Sequence, residues 1–185
     1  VNKINSKIDK IDYQEINKTD LGISEEQKKS KFRNIAILGT DSRYDDYNDF
    51  ARTDCIMILS IDTETNKMNL FSIYRDTFTK MTLKGEEKYD KINHAFYGGV
   101  ENTLKTINQN FDLNITEYIM IDFETVASMV DKVGGVSINI TPDELKVINA
   151  PIKENNRVIG ASAKPLTSTG MQQLNGVQAL AYGRI

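Results

Sequence analysis

The 185 residues include only one cysteine and one histidine, so this chain can build neither an intramolecular disulfide nor a His/Cys zinc site. Cys55 lies inside an apolar run and is expected as a buried, inert thiol, a state compatible with either side of a bacterial membrane. No stretch approaches the roughly 18 apolar residues of a membrane span. The start Val1-Asn2-Lys3 has neither an initiator Met nor a signal peptide, and the chain reads as a piece whose membrane anchor lies upstream. Positive charge is not in excess either. With 23 Lys and Arg against 26 Asp and Glu, the net charge of -3 supplies no global field for nucleic acid, which is excluded as a partner. No Gly-x-x-x-x-Gly-Lys-Ser/Thr loop occurs, and this disfavours a nucleotide-dependent enzyme.

What is present suits one ordinary globular domain. The 39% hydrophobic content, with seven Phe and eight Tyr, can fill one core, and the 26% charged fraction is near the globular average. Residues 1–31 are mostly polar, with isolated Ile4, Ile8, Ile11 and Ile16, and read as a linker or short leading helix. The domain proper is expected over 32–185. Ile35 to Leu38 reads as a strand covered on both faces. Cys55 to Ile61 and Met68 to Tyr74, separated by the polar turn Thr63 to Lys67, read as a hairpin. Lys84 to Tyr89 reads as a loop. Leu104, Ile107 and Phe111 mark a helix over Glu101 to Asn110, and Tyr118 to Ile121 a short strand. A second helix carries Phe123, Val126, Val130 and Val133 and stops at Gly134-Gly135. Val136 to Ile140 alternates as a strand, and Thr141-Pro142-Asp143-Glu144 opens a helix with a capping box. Residues 150–170 show no period, and Gly176 to Ala181 opens a last helix. Interleaved strands and helices predict an α/β fold.

Ionisable residues gather at the ends of the apolar strands. Asp41 and Arg43 follow the first, Arg52 and Asp54 precede the second, and Arg75 and Asp76 close the third. A hairpin turning near Thr65 makes Asp54 and Arg75 near cross-strand partners about 5 Å apart. One meaning is a solvated salt-bridge ladder worth under about 1 kcal/mol per pair. The other is chemical: Asp41 and Asp54 hold a hard divalent ion, and the planar forks of Arg52 and Arg75 take phosphate oxygens. Mg²⁺ takes one or two carboxylates and leaves its remaining positions to water and phosphates, so the cluster suits a metal-bound pyrophosphate. Lys91 adds a point charge, and His94 is expected as a structural or rim residue.

Six segments in order resemble the LytR-CpsA-Psr family: Ile37 to Arg43, Ala51 to Met57, Leu70 to Thr77, Lys91 to Ala95, Val130 to Val136 and Leu174 to Ile185. Tyr74, His94 and Thr53 depart from the family's usual Pro, small residue and Ser, and none of these removes a charge. The resemblance implies that Asp41 and Asp54 are ligands of Mg²⁺ (or Mn²⁺), and that Arg43, Arg52, Arg75, Lys91 and Arg184 hold the pyrophosphate. It implies a mixed β-sheet layered between α-helices, with an apolar lipid-binding channel lined by Leu104, Ile107 and Phe111 or by Phe123, Val126 and Val130. The implied activity is transfer of a glycopolymer, such as a teichoic acid or capsule, from a polyprenyl pyrophosphate carrier to a peptidoglycan acceptor. It takes place on the extracytoplasmic face of the cell membrane, by an enzyme tethered through an N-terminal anchor. Arg52, Arg75 and Asp76 are the expected catalytic residues, with Asp76 favoured over Asp41 and Asp54 as base because a carboxylate holding a metal is a poor base. Further family arginines are expected beyond Arg184. A polyprenyl pyrophosphate hydrolase and a non-catalytic carrier-binding or regulatory module are the alternatives.

Overall fold

The computed structural model describes residues 16–40 and 53–185. Its main sheet has the strand order β3-β2-β1-β6, built from β1 (Phe32–Thr40), β2 (Thr53–Asp62), β3 (Met68–Ile73) and β6 (Glu117–Ile121). The first three are antiparallel and β6 is parallel to β1, so the sheet is mixed as expected. Alternation along β1 sends Ala36 and Leu38 to one face, where they meet Ile56, Ile58 and Ile73. Helix α1 (Gly99–Phe111) seals that face with Leu104 and Ile107, both fully buried. The other face carries Ile35, Ile37, Met57 and Leu59, which are half-buried, and Ile119, which is exposed. β1 is therefore covered closely on one side only.

Within the leading segment, the described part from Ile16 packs onto the domain. Leu21 is buried in the same core as Leu38 and Leu104. Asn108, fully buried on α1, donates to the carbonyls of Leu21 and Ile115 at 2.9 and 3.0 Å and accepts from the Ile115 N–H at 2.8 Å. One amide thus pins the entry of the chain, the helix and the approach to β6 together.

A second sheet was not foreseen. Where a loop was expected, β4 (Phe78–Leu83) and β5 (Glu86–Lys91) form a hairpin. Its two-residue turn, Lys84-Gly85, has positive φ at both positions, the requirement of a type I′ turn. β5 reads Glu-Glu-Lys-Tyr-Asp-Lys, and a strand with so little to bury leaves no apolar alternation to detect.

The remaining elements enclose a second core. Helices α2 (Phe123–Lys132), α3 (Pro142–Ile159) and α4 (Gly176–Tyr182) join β7 (Val136–Ile140) and β8 (Gly170–Leu174) around Ile140, Ile148, Ile152, Leu174 and Val177. The expected capping box is present at Thr141 and Glu144. Helix α3, however, runs through Pro151 to Ile159, well into the stretch read as aperiodic. Proline removes one helical N–H, whose partner would be the carbonyl of Val147, an exposed residue, while Ile148, Ile152 and Asn155 keep their buried face. The segment 160–169 is tied back to α3 by paired amide bonds, from Asn156 to Ala163 and from Asn149 to Leu166, all 2.8–2.9 Å. Glycine is required at Gly176, where a Cβ would come within 1.9 Å of the Ala127 carbonyl oxygen on α2. No helix among the described residues is long and apolar enough to cross a membrane.

Candidate functional site

The β2–β3 ladder runs from Ile61↔Met68 to Ile56↔Ile73, and its register continued two residues sets Asp54 opposite Arg75. Arg75 Nη1 donates to Asp54 Oδ1 at 2.8 Å, so the contact expected from the turn position is present. It extends into a chain of charges. Arg75 Nε lies 3.8 Å from Asp76 Oδ2, and Lys91 Nζ lies 2.7 Å from Asp76 Oδ1. β1 ends at the same sheet edge, since Thr40 is the Cα partner of Thr53. Asp41, Arg43 and Arg52, expected beside these strand ends, lie outside the described residues.

Backbone bonds hold the cluster's two halves together. The Ile92 N–H donates to the Thr77 carbonyl at 2.8 Å and the Asn93 N–H to the Arg75 carbonyl at 3.2 Å. This docks the tight helical turn Ile92–Gly98 against the β3–β4 connection and sets Lys91 beside Asp76. His94, at the rim as expected, has a partner that sequence reasoning passed over: Nδ1 lies 3.0 Å from Asp90 Oδ1, and its ring stacks on Tyr97 at 5.1 Å. The i,i+4 spacing of Asp90 and His94 was the available signal.

Opposite charges balance in the described part of the cluster, two carboxylates against two cations. Asp76 is held below the usual carboxylate range, first by the hydrogen bond from Lys91 and then by the charges of Lys91, Arg75 and His94, against opposing desolvation. Asp90 is likewise depressed, first by Lys88 and also by His94. Arg75 and Lys91 are each 53% exposed on their side chains, so neither is locked to its carboxylate by burial. Pairs so open add little to stability.

Arg184 is not joined to this cluster by any hydrogen bond or ion pair among the described residues. It follows α4, where Nη1 donates to Asn155 Oδ1 at 2.6 Å, Nη2 lies 3.3 Å from Glu154, and the guanidinium sits 5.6 Å from the Phe123 ring centroid. Cys55 is exposed rather than buried, because the facing strand position is Gly39, which has no side chain to cover it. Partial desolvation pushes its thiol pKa up.

For a metal, the described residues hold no group of three His, Cys, Asp or Glu. Asp54 remains a fitting hard-oxygen ligand. Only its Oδ1 is engaged by Arg75, and its side chain is 39% exposed. The expected channel is not lined by its first stripe, since Leu104 and Ile107 close the core; Phe123, Val126 and Val130 are half-buried. A groove of about 370 Å³ opens between α2, the end of α3 and α4, floored by Ala127, Ile159, Ala161 and Val177.

Comparison with known proteins agrees with the resemblance read from the motifs. A model of the LytR_cpsA_psr family matches residues 1–185. The chain belongs to the LytR-CpsA-Psr family. A relative from Bacillus cereus (strain AH820), named polyisoprenyl-teichoic acid–peptidoglycan teichoic acid transferase TagU, is 38% identical over 117 residues, 63% of this chain and 37% of its own length. The Oceanobacillus iheyensis protein of the same name is 36% identical over 124 residues. Among solved structures, the family protein YwtF (TagT) with bound octaprenyl pyrophosphate lipid superposes with a TM-score of 0.58 at 25% identity, over 92% of this chain and 61% of that one. TagT bound to LIIa-WTA gives 0.59 at 25% identity, over 92% and 58%. The mixed-sheet α/β fold is thereby shared, while the chain spans little more than a third of the curated relatives' length.

Proposed function

We propose that this protein transfers a glycopolymer from a polyprenyl pyrophosphate carrier to peptidoglycan, outside the cell membrane, with Mg²⁺ or Mn²⁺ as cofactor. The observation that carries the reading is the half-exposed chain Asp54–Arg75–Asp76–Lys91 at the strand ends of a LytR-CpsA-Psr chain. Its support is the naming of the relatives as teichoic acid transferases and the pyrophosphate lipid bound to TagT.

In this mechanism Arg75 and Lys91 exchange Asp54 and Asp76 for phosphate oxygens, and the planar fork of Arg75 takes two oxygens at once. Asp54, released from Arg75, would hold the metal together with Asp41, and the ion would supply positive charge against that growing on the pyrophosphate. Arg43, Arg52 and Arg184 are assigned to the same phosphates through the family resemblance. Asp76 is a weak base while Lys91 grips it. Once Lys91 and Arg75 answer phosphate charge instead, the largest cause of its depressed pKa, the Lys91 hydrogen bond, is lost and its proton affinity rises. It then takes the proton of the attacking wall hydroxyl as the phosphorus changes partners and polyprenyl phosphate leaves. The half-buried apolar stripe Phe123, Val126 and Val130 is the part of this chain assigned to the lipid tail.

The test supplies the 185-residue chain with a polyprenyl pyrophosphate-linked polymer, Mg²⁺ and purified peptidoglycan. Polyprenyl phosphate is expected to appear together with wall-attached polymer. Release of the same phosphate without any acceptor would identify a hydrolase, and carrier retained without turnover a binding module.

A further inference from the structure

We propose that the outer face of the β4–β5 hairpin is the acceptor subsite, on which a sugar ring of the peptidoglycan strand stacks against Phe78 and Tyr89. The inference deepens the transferase reading and rests on it.

The hairpin register pairs Phe78 with Lys91 and Lys80 with Tyr89, which puts these four side chains on one face. The opposite face takes Thr79 and Met81 into the protein. On the outer face the two rings are diagonal neighbours, stacked with centroids 5.8 Å apart and planes 24° from parallel. Phe78 is 70% and Tyr89 64% exposed. Two large rings held parallel and left in water form an apolar patch of the kind that marks an interaction surface.

Three observations choose the occupant. The patch is continuous with the charged cluster, because Lys91, the cross-strand neighbour of Phe78, is the residue whose Nζ grips Asp76. In this proposal a molecule whose hydroxyl reacts at that cluster lays its next ring over Phe78. The patch is open to solvent, and an acceptor that is part of an insoluble mesh must be laid on a surface and not threaded into a cavity. Its rim is polar: Lys80 is tied to Glu87 at 2.9 Å on the far side of Tyr89. Aromatic faces are electron-rich, and the C–H faces of a pyranose match them while its hydroxyls reach the charged rim.

The test is co-sedimentation of the 185-residue chain with purified peptidoglycan, for the wild type, the Phe78→Ala/Tyr89→Ala and Phe78→Leu/Tyr89→Leu double variants, and Tyr89→Trp. Retention on anionic and neutral phospholipid vesicles and binding of a short polyprenyl pyrophosphate are measured alongside. Both double variants are expected to lose about tenfold or more in affinity for peptidoglycan, and Tyr89→Trp to keep it, with pyrophosphate binding unchanged throughout. Leucines that restore wall binding would mean that ring stacking is not the contact. Loss confined to vesicles would make the hairpin a membrane contact, and a fall in oligomeric state would make it a contact between copies; either overturns the proposal, as does wall binding untouched by the alanines. Failure of the wild type to bind polyprenyl pyrophosphate is a separate outcome that sinks the transferase reading itself.

Discussion

Replacing Arg75 by alanine separates a phosphate-binding cation from a structural one, because the two roles differ in which quantity moves. The Arg75–Asp54 pair has side chains 53% and 39% exposed, so it belongs with surface ion pairs that contribute at most about 1 kcal/mol. No cavity opens on truncation, and the thermal midpoint should fall by no more than about 2–4 °C for a chain of this size. Leu104→Ala, in the fully buried contact of α1 with the sheet, is the control, and should cost about 2–5 kcal/mol. Binding should respond in the opposite order. Losing charge-assisted hydrogen bonds to phosphate costs about 1.5–3 kcal/mol, or roughly a ten- to hundredfold rise in the Kd for a short polyprenyl pyrophosphate. Arg75→Lys, which keeps the charge and loses the fork, should fall between. The assays are thermal unfolding and direct ligand titration on the same preparations. An unchanged Kd, or a midpoint that drops as far as that of Leu104→Ala, would show that Arg75 serves the fold and not the ligand.

Gly176→Ala should destabilise the second core strongly, since its Cβ would meet the Ala127 carbonyl oxygen at 1.9 Å and α4 must move off α2. Thermal unfolding reads this, and a stable Gly176→Ala protein would refute the close crossing. For acid, the sign follows from Asp76 and Asp90, whose folded pKa values lie below their unfolded ones. Their contribution is complete above the ordinary carboxylate value of about 4 and is lost as pH falls through the depressed folded values. Midpoints should thus be insensitive to these two groups between about pH 5 and 8 and decline below, less steeply in Lys91→Ala. Equal acid sensitivity in that variant would mean that Lys91 does not hold Asp76.

The parts of the site that could be read from sequence are those fixed by short-range geometry. A turn near Thr65 determines the β2–β3 register, and register alone carries Asp54 to Arg75 across 21 residues of chain. The capping residues at Thr141 mark a helix start for the same reason, because cap and first turn are neighbours in the chain. Arg184 shows the limit. Its surroundings, Asn155, Glu154 and Phe123, come from two other helices, and only the packing of α4 on α2 and α3 decides what it touches. β5 was hidden for another reason. Its stability comes from pairing with β4 and from an I′ turn, not from a buried stripe, so the periodicity that reveals other strands is missing. The exposed rings on that hairpin are hard to read for the same reason. Alternation toward a core identifies residues serving the fold, whereas Phe78 and Tyr89 point their rings into water and are visible only once the hairpin puts them side by side.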